Sequence, residues 1–135
     1  MTREVIVTPH APAAIGPYSQ AIRAGNFIFT AGQIGLDPAS GKLREGLEAQ
    51  TRQALNNLQA ILEAAGSSLQ NVVKTTIFLT DINHFPTVNA VYGDLFSSNP
   101  PARSTVQVAA LPLGALVEIE AIALVQDPAK QPAAR

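Results

Sequence analysis

The chain has 135 residues, 47% of them hydrophobic, which makes one ordinary globular domain with a core of its own and excludes a disordered or fibrous protein. Nine Lys and Arg stand against ten Asp and Glu, a formal charge of −1, so nothing in the composition suits a protein that lives by gripping phosphates. Charged residues are only 14%, against roughly 25% in an average soluble domain, and such a sparse surface predicts that part of it meets another subunit. Cysteine is absent, which removes a thiolate nucleophile, a disulfide framework and any Cys-based zinc site. No apolar run fits a signal peptide or a membrane span, so the expectation is a soluble, cytoplasmic protein.

In chain order, Val5, Ile6 and Val7 form a brief strand-like run, broken by the Pro- and Ala-rich stretch 10–17. Segments 19–23 and 27–30 read as two strands joined at the turn-forming Ala24-Gly25-Asn26. The period then changes. Leu47, Ala54, Leu55, Leu58, Ile61, Leu62 and Ala65 recur at spacings of three and four, one apolar face of a helix that Gly66 would end. Segment 72–80 is β-branched and reads as a strand with buried positions on both faces. A second helix is expected over about 84–96, with Pro86 in its first turn and Asn99-Pro100-Pro101 beyond its end. Two strands, 103–108 and 117–124, close a single domain spanning 1–126, and the polar tail 127–135 is expected to fray. Helices separating strands predict an α/β (α+β) domain with right-handed crossovers and both helices on one face of the sheet.

Several standard sites drop out. His10 and His84 are far apart and lack ligand-like spacing, so no metal is expected. No serine sits in G-x-S-x-G, and Ser40-Gly41-Lys42-Leu43 fails as a phosphate loop because Leu43 stands where Ser or Thr is needed. The last two strands carry more. If they pair, alternation puts Arg103, Thr105 and Gln107 on one face with Glu118 and Glu120. That face is either a solvated set of cross-strand salt bridges or a binding site. Tyr18, behind the rigid Gly16-Pro17, is either a packing aromatic or a cleft residue. Gly32, at a strand end, is either a bulge or a place where a ligand approaches closely.

These residues also carry a resemblance. IGPYSQA (15–21), TAGQIG (30–35), QTRQALNNLQAILEAAG (50–66), VVKTTIFLTDINHFPTVNAVYGDLF (72–96) and PARSTVQVAALPLGALVEIEAIAL (101–124) resemble the Rid/YjgF reactive-intermediate deaminase family, nearest its RidA subgroup. The resemblance implies a chorismate-mutase-like fold and a homotrimer around a β-barrel core. It implies active sites in clefts between subunits, with no metal or organic cofactor. It also implies hydrolysis of 2-imino acids, released by pyridoxal-phosphate dehydratases, to 2-keto acids and ammonia. Arg103 matches the arginine that holds the substrate carboxylate, and Glu118 the residue that positions the attacking water. Tyr18 matches the tyrosine that closes the cleft, while Gly32 and Thr105 match positions whose backbones line it. Ala31 replaces a serine of the family pattern, and Thr105 replaces a cysteine of some members.

The chemistry is self-consistent. A guanidinium fork holds both oxygens of a planar carboxylate, which orients the adjacent C=N carbon. An iminium carbon is already electrophilic, so one carboxylate that orients water and accepts its proton is sufficient. Two rivals stand beside this reading: a binding module that holds a keto acid without turnover, and an RNA-acting protein, which the near-neutral charge disfavours. Chorismate mutase activity follows from fold alone and so has no footing.

Overall fold

A computed structural model describes residues 2–126; the tail expected to fray, 127–135, lies outside the described residues. In chain order the elements are β1 (Arg3–Ile6), β2 (Ala21–Ala24), β3 (Phe27–Thr30), β4 (Gln33–Ile34), α1 (Leu47–Ala64), β5 (Val72–Leu79), α2 (Phe85–Leu95), β6 (Ala102–Gln107) and β7 (Val117–Leu124). The strands form one sheet in the order β1-β2-β3-β7-β5-β6, with β4 pairing a separate stretch of β7. Only β5 and β6 run parallel, joined by the α2 crossover, so the sheet is mixed.

Helix α1 follows its sequence pattern. Leu55, Leu58, Ile61 and Leu62 are fully buried against Val117, Ile119 and Ala123 of β7, in one core shared with Val88 and Val91 of α2. Each such aliphatic side chain contributes about 1.5–3 kcal/mol by leaving water. Gly66 ends the helix with φ of +82°, its N–H donating to Glu63 O (3.1 Å) and that of Ser67 to Leu62 O (2.8 Å), the paired bonds of a Schellman cap. The second helix starts one residue later than expected, because a 3-10 turn over Ile82–His84 precedes it. Asp81 caps that turn by accepting a hydrogen bond from Asn83 N–H (2.9 Å).

Two features depart from the sequence reading. Strand β2 begins at Ala21 rather than at Ser19, and Gln20 just before it turns its side chain inward. Its Oε1 accepts from Thr8 N–H (2.7 Å), and its Nε2 donates to Thr8 O (3.1 Å), Ala11 O (3.3 Å) and Pro12 O (2.8 Å). This one side chain fastens the irregular segment before Tyr18 to the sheet.

The second departure is larger. β6 and β7 do not pair; β5 lies between them, parallel to β6 and antiparallel to β7. The register aligns Arg103 with Thr75 and Ala121, and Val106 with Phe78 and Glu118. Arg103, Thr105 and Gln107 therefore share the helix-covered face with Ile119 and Ala121, while Glu118 and Glu120 lie on the opposite face. The expectation of one face holding Arg103 with both glutamates is overturned. Its physical cause is the α2 crossover, which returns the chain to the outer side of β5.

The face opposite the helices carries apolar stretches that nothing covers in a single copy, beside Glu118 and Glu120. The register puts Val5, Ile22, Phe29 and Ile122 in one row across it, and Val106 and Phe78 in another. Phe29 is 45% exposed and Val106 43%.

Candidate active site

Strands β3 and β4 both pair β7, but with a gap between them: β3 aligns with Ile122 to Leu124, β4 with Glu118 and Ile119. The chain bends through Ala31-Gly32 to cross that gap, and Thr30 Oγ1 accepts from Ala121 N–H (3.0 Å), filling the missing rung of the ladder. The Glu118 side chain occupies the bend. A β-carbon on residue 32 would stand 2.7 Å from Glu118 Cδ and 2.8 Å from its Oε2, so only glycine lets the carboxylate lie against this backbone.

Glu118 lines a cavity of about 390 Å³ with Tyr18, Gly32, Gln33, Ile15, Ile34 and Leu113. Burial pushes its carboxyl above the ordinary glutamate value, and the negative charge of Glu120 pushes the same way. Among the described residues no side chain or backbone N–H donates to it. The cavity thus holds an ionisable group with apolar walls and unspent acceptors, a combination that suits proton transfer. Tyr18 stands at the mouth, 54% exposed, with its hydroxyl accepting from Ile15 N–H (3.3 Å). Gly16, at φ of +119°, makes the turn that presents it. Of the two readings of Tyr18, the packing aromatic does not hold within one copy of the chain.

The remaining predicted residues lie elsewhere. Ala31 lines an adjoining groove with Arg3, Tyr18 and Phe29. Arg103 lines a different groove, of about 480 Å³, with Asn89, Tyr92, Phe96 and Pro101. Thr105 sits one alternation further along β6, its Oγ1 buried without a hydrogen-bond partner. Arg103 and Glu118 are two strands and three residue pairs apart, roughly 14 Å between backbones, and point to opposite faces. No substrate of a few carbons reaches both within one copy. The fold therefore splits the predicted set into two halves, Tyr18, Gly32 and Glu118 in one and Arg103 and Thr105 in the other.

Sequence reasoning missed the apolar rim. Ile15 and Leu113 are 85% and 72% exposed, and Leu113 has a positive φ of 58°, which a leucine adopts only under constraint. Both lie within segments that carry the resemblance, but neither residue type marks a rim in the sequence. Gln20 gave no signal, since a buried glutamine looks like any other in a sequence.

Comparison with known proteins settles the relationship. Residues 8–125 match the family described as Endoribonuclease L-PSP, which is the YjgF/Rid family. The chain belongs to it. A human relative named 2-iminobutanoate/2-iminopropanoate deaminase is 54% identical over 125 residues, covering 92% of this chain and 91% of its own. The solved structure of a Rid family protein from Yersinia pestis is 52% identical and superposes with a TM-score of 0.90, covering 92% of this chain and all of that one. That of Escherichia coli TdcF with bound serine is 44% identical with a TM-score of 0.88, covering 91% and 99%. Membership agrees with the resemblance drawn from the PARS and EIEA segments. The mixed sheet with two helices packed against it is the fold of these relatives. No helix among the described residues is long and apolar enough to cross a membrane.

Proposed function

We propose that this chain is a cytoplasmic hydrolase that converts 2-imino acids to 2-keto acids and ammonia, working as a homotrimer with sites between subunits. The observation that carries the reading is Glu118, a carboxylate without a partner, fitted against Gly32 in an apolar cavity. The names of curated relatives such as the human deaminase supply the substrate class. Binding of serine to a relative agrees with a site built for a carboxylate next to a nitrogen-bearing carbon.

In the proposed mechanism Arg103 of one copy binds the substrate carboxylate through its guanidinium fork and sets the C=N carbon beside Glu118 of the next. Glu118 accepts a proton as water adds to the iminium carbon, forming a carbinolamine, and returns that proton to nitrogen. As the C–N bond breaks the carbinolamine hydroxyl gives its proton to Glu118 and the C=O bond forms; the keto acid leaves, and the departing ammonia takes the proton from Glu118 as ammonium. Tyr18 closes the mouth, and the backbones of Gly32 and Thr105 line the cleft. The uncovered apolar face around Phe29 and Val106 is the surface on which three copies would close into a barrel.

The deciding experiment generates 2-iminopropanoate enzymatically in the presence of semicarbazide as a competing trap. Diversion of the imine to pyruvate, persisting after exhaustive chelation, supports the reading. Tight keto-acid binding without any diversion would replace it with the non-catalytic metabolite-binding reading. Steeply salt-dependent RNA binding would favour the nucleic-acid reading that the family's description raises.

A further inference from the structure

Arg103 leaves β6 on the face covered by α2, paired in register with Thr75 of β5. Its guanidinium carbon is 5.1 Å from the ring centre of Phe85 and 4.9 Å from that of Tyr92. These aromatics are seven residues apart on α2, two helical turns, so both rings project from the same side of the helix. A guanidinium over an aromatic face is held by the ring quadrupole, and it loses less hydration than an ammonium would.

The ring of Tyr92 is itself fixed. Its buried hydroxyl lies 2.7 Å from Thr75 Oγ1, on the strand next to Arg103, and the ring packs on Phe96 with centres 4.5 Å apart. Burial pushes the phenol up, which favours its neutral form. Among the described residues no carboxylate lies within ion-pair distance of Arg103. The cation is held against the two rings, with its central carbon about 5 Å from each ring centre. Among the described residues no acceptor takes a hydrogen bond from its N–H groups, so the fork stays free for a ligand.

We propose that Phe85 and Tyr92 are positioning residues that hold the Arg103 guanidinium edge-on to the incoming substrate carboxylate, with Thr75 locking the Tyr92 ring. This rests on Arg103 being the carboxylate anchor, as under the proposed function. The rival is plain packing, in which the rings only cover the arginine stem.

The test measures pyruvate binding by calorimetry, and KM and kcat for 2-iminopropanoate, in variants first shown to keep the fold and assembly. Phe85→Leu keeps the volume but removes the ring. It should weaken pyruvate binding and raise KM roughly 3- to 20-fold, with kcat within about twofold of the parent. Phe85→Tyr restores a ring face and should return both values. Tyr92→Phe keeps its ring but frees it from Thr75, and should raise KM by a smaller factor, about two- to fivefold. Unchanged binding and KM in Phe85→Leu, or failure of Phe85→Tyr to rescue, overturns the proposal. An unchanged KM in Tyr92→Phe removes Thr75 from it. Arg103→Ala separates this inference from the reading beneath it. If pyruvate binding survives that change, Arg103 is not the anchor and both fall. If binding is lost there and untouched in Phe85→Leu, only the positioning role falls.

Discussion

Gly32 and Glu118 fit together so closely that a single methyl group would separate them. The site for a β-carbon on residue 32 lies 2.7 Å from the carboxyl carbon of Glu118, inside van der Waals contact. The glycine is where it is because the glutamate is where it is. Gly32→Ala should therefore fold normally, since the obstructing atoms belong to the end of a flexible side chain. The displaced carboxylate should cost at least about tenfold in kcat, because proton transfer depends steeply on its placement. Thermal unfolding and steady-state turnover on the same sample check this. Full activity would show that the carboxylate position is immaterial.

The two glutamates should separate cleanly. Glu118→Gln keeps shape and removes the base, and deamination should slow by roughly 10²-fold or more. Glu120→Gln should be far milder, since Glu120 pairs in register with Thr76 and is absent from the cavity lining. Arg103→Ala should abolish measurable turnover, and Arg103→Lys should rescue little, because a point charge does not reproduce the fork. Turnover lost in Glu120→Gln but kept in Glu118→Gln would move the base by one pleat.

A pH dependence of activity should follow from Glu118 if it is the base. Its carboxyl titrates above the ordinary glutamate value because burial and Glu120 both disfavour its charge. Activity should fall with decreasing pH through that raised value, since the protonated acid cannot accept a proton from water. The same shift bears on stability with the opposite sense. Its contribution is fully present below the unfolded pKa, where both states are protonated, and is lost as pH rises through the raised folded value. Glu118→Gln should therefore lose the acid limb of the rate profile and melt no lower than the parent at neutral pH. A parent profile flat down to the ordinary glutamate range would contradict this.

Assembly is tested by complementation. Light scattering should give three times the chain mass, and Phe29→Asp, which puts a charge on the uncovered apolar face, should lower it and remove activity. Arg103→Ala and Glu118→Gln should each be inactive alone. If each site takes Arg103 from one copy and Glu118 from another, co-expressed variants assort into mixed trimers with about a quarter of the sites intact. Continued inactivity of the mixture would place both residues in one subunit's site, against the sheet geometry.

Gln20 is a stability prediction. Replacing it with Leu leaves the carbonyls of Thr8 and Pro12 unpaired in the irregular segment that leads to Tyr18. A loss of about 2–4 kcal/mol is expected by denaturant titration. Faster amide exchange should be confined to the segment before Tyr18.

The sequence by itself determined the elements, because their signals are local. The spacing of Leu55, Leu58, Ile61 and Leu62 specifies one helical face, Gly66 its left-handed end, and the β-branched run at 72–80 a strand, though only alternate residues of that strand are buried rather than both faces. The residues of the proposed site also stand out in the sequence, in the PARS and EIEA segments and in the glycine and tyrosine before them. Only the tertiary structure decided how those residues combine. Alternation says which residues of one strand share a face, but it carries no information about the neighbouring strand. The α2 crossover set β5 between β6 and β7 and so turned Arg103 and Glu118 to opposite sides. Gln20 was invisible for the same reason: its role depends on backbone carbonyls eight to twelve residues away, which only the folded chain brings within reach. Local sequence fixes periodicity and turns through short-range sterics, while strand order follows from the burial of faces and the handedness of connections across the whole domain.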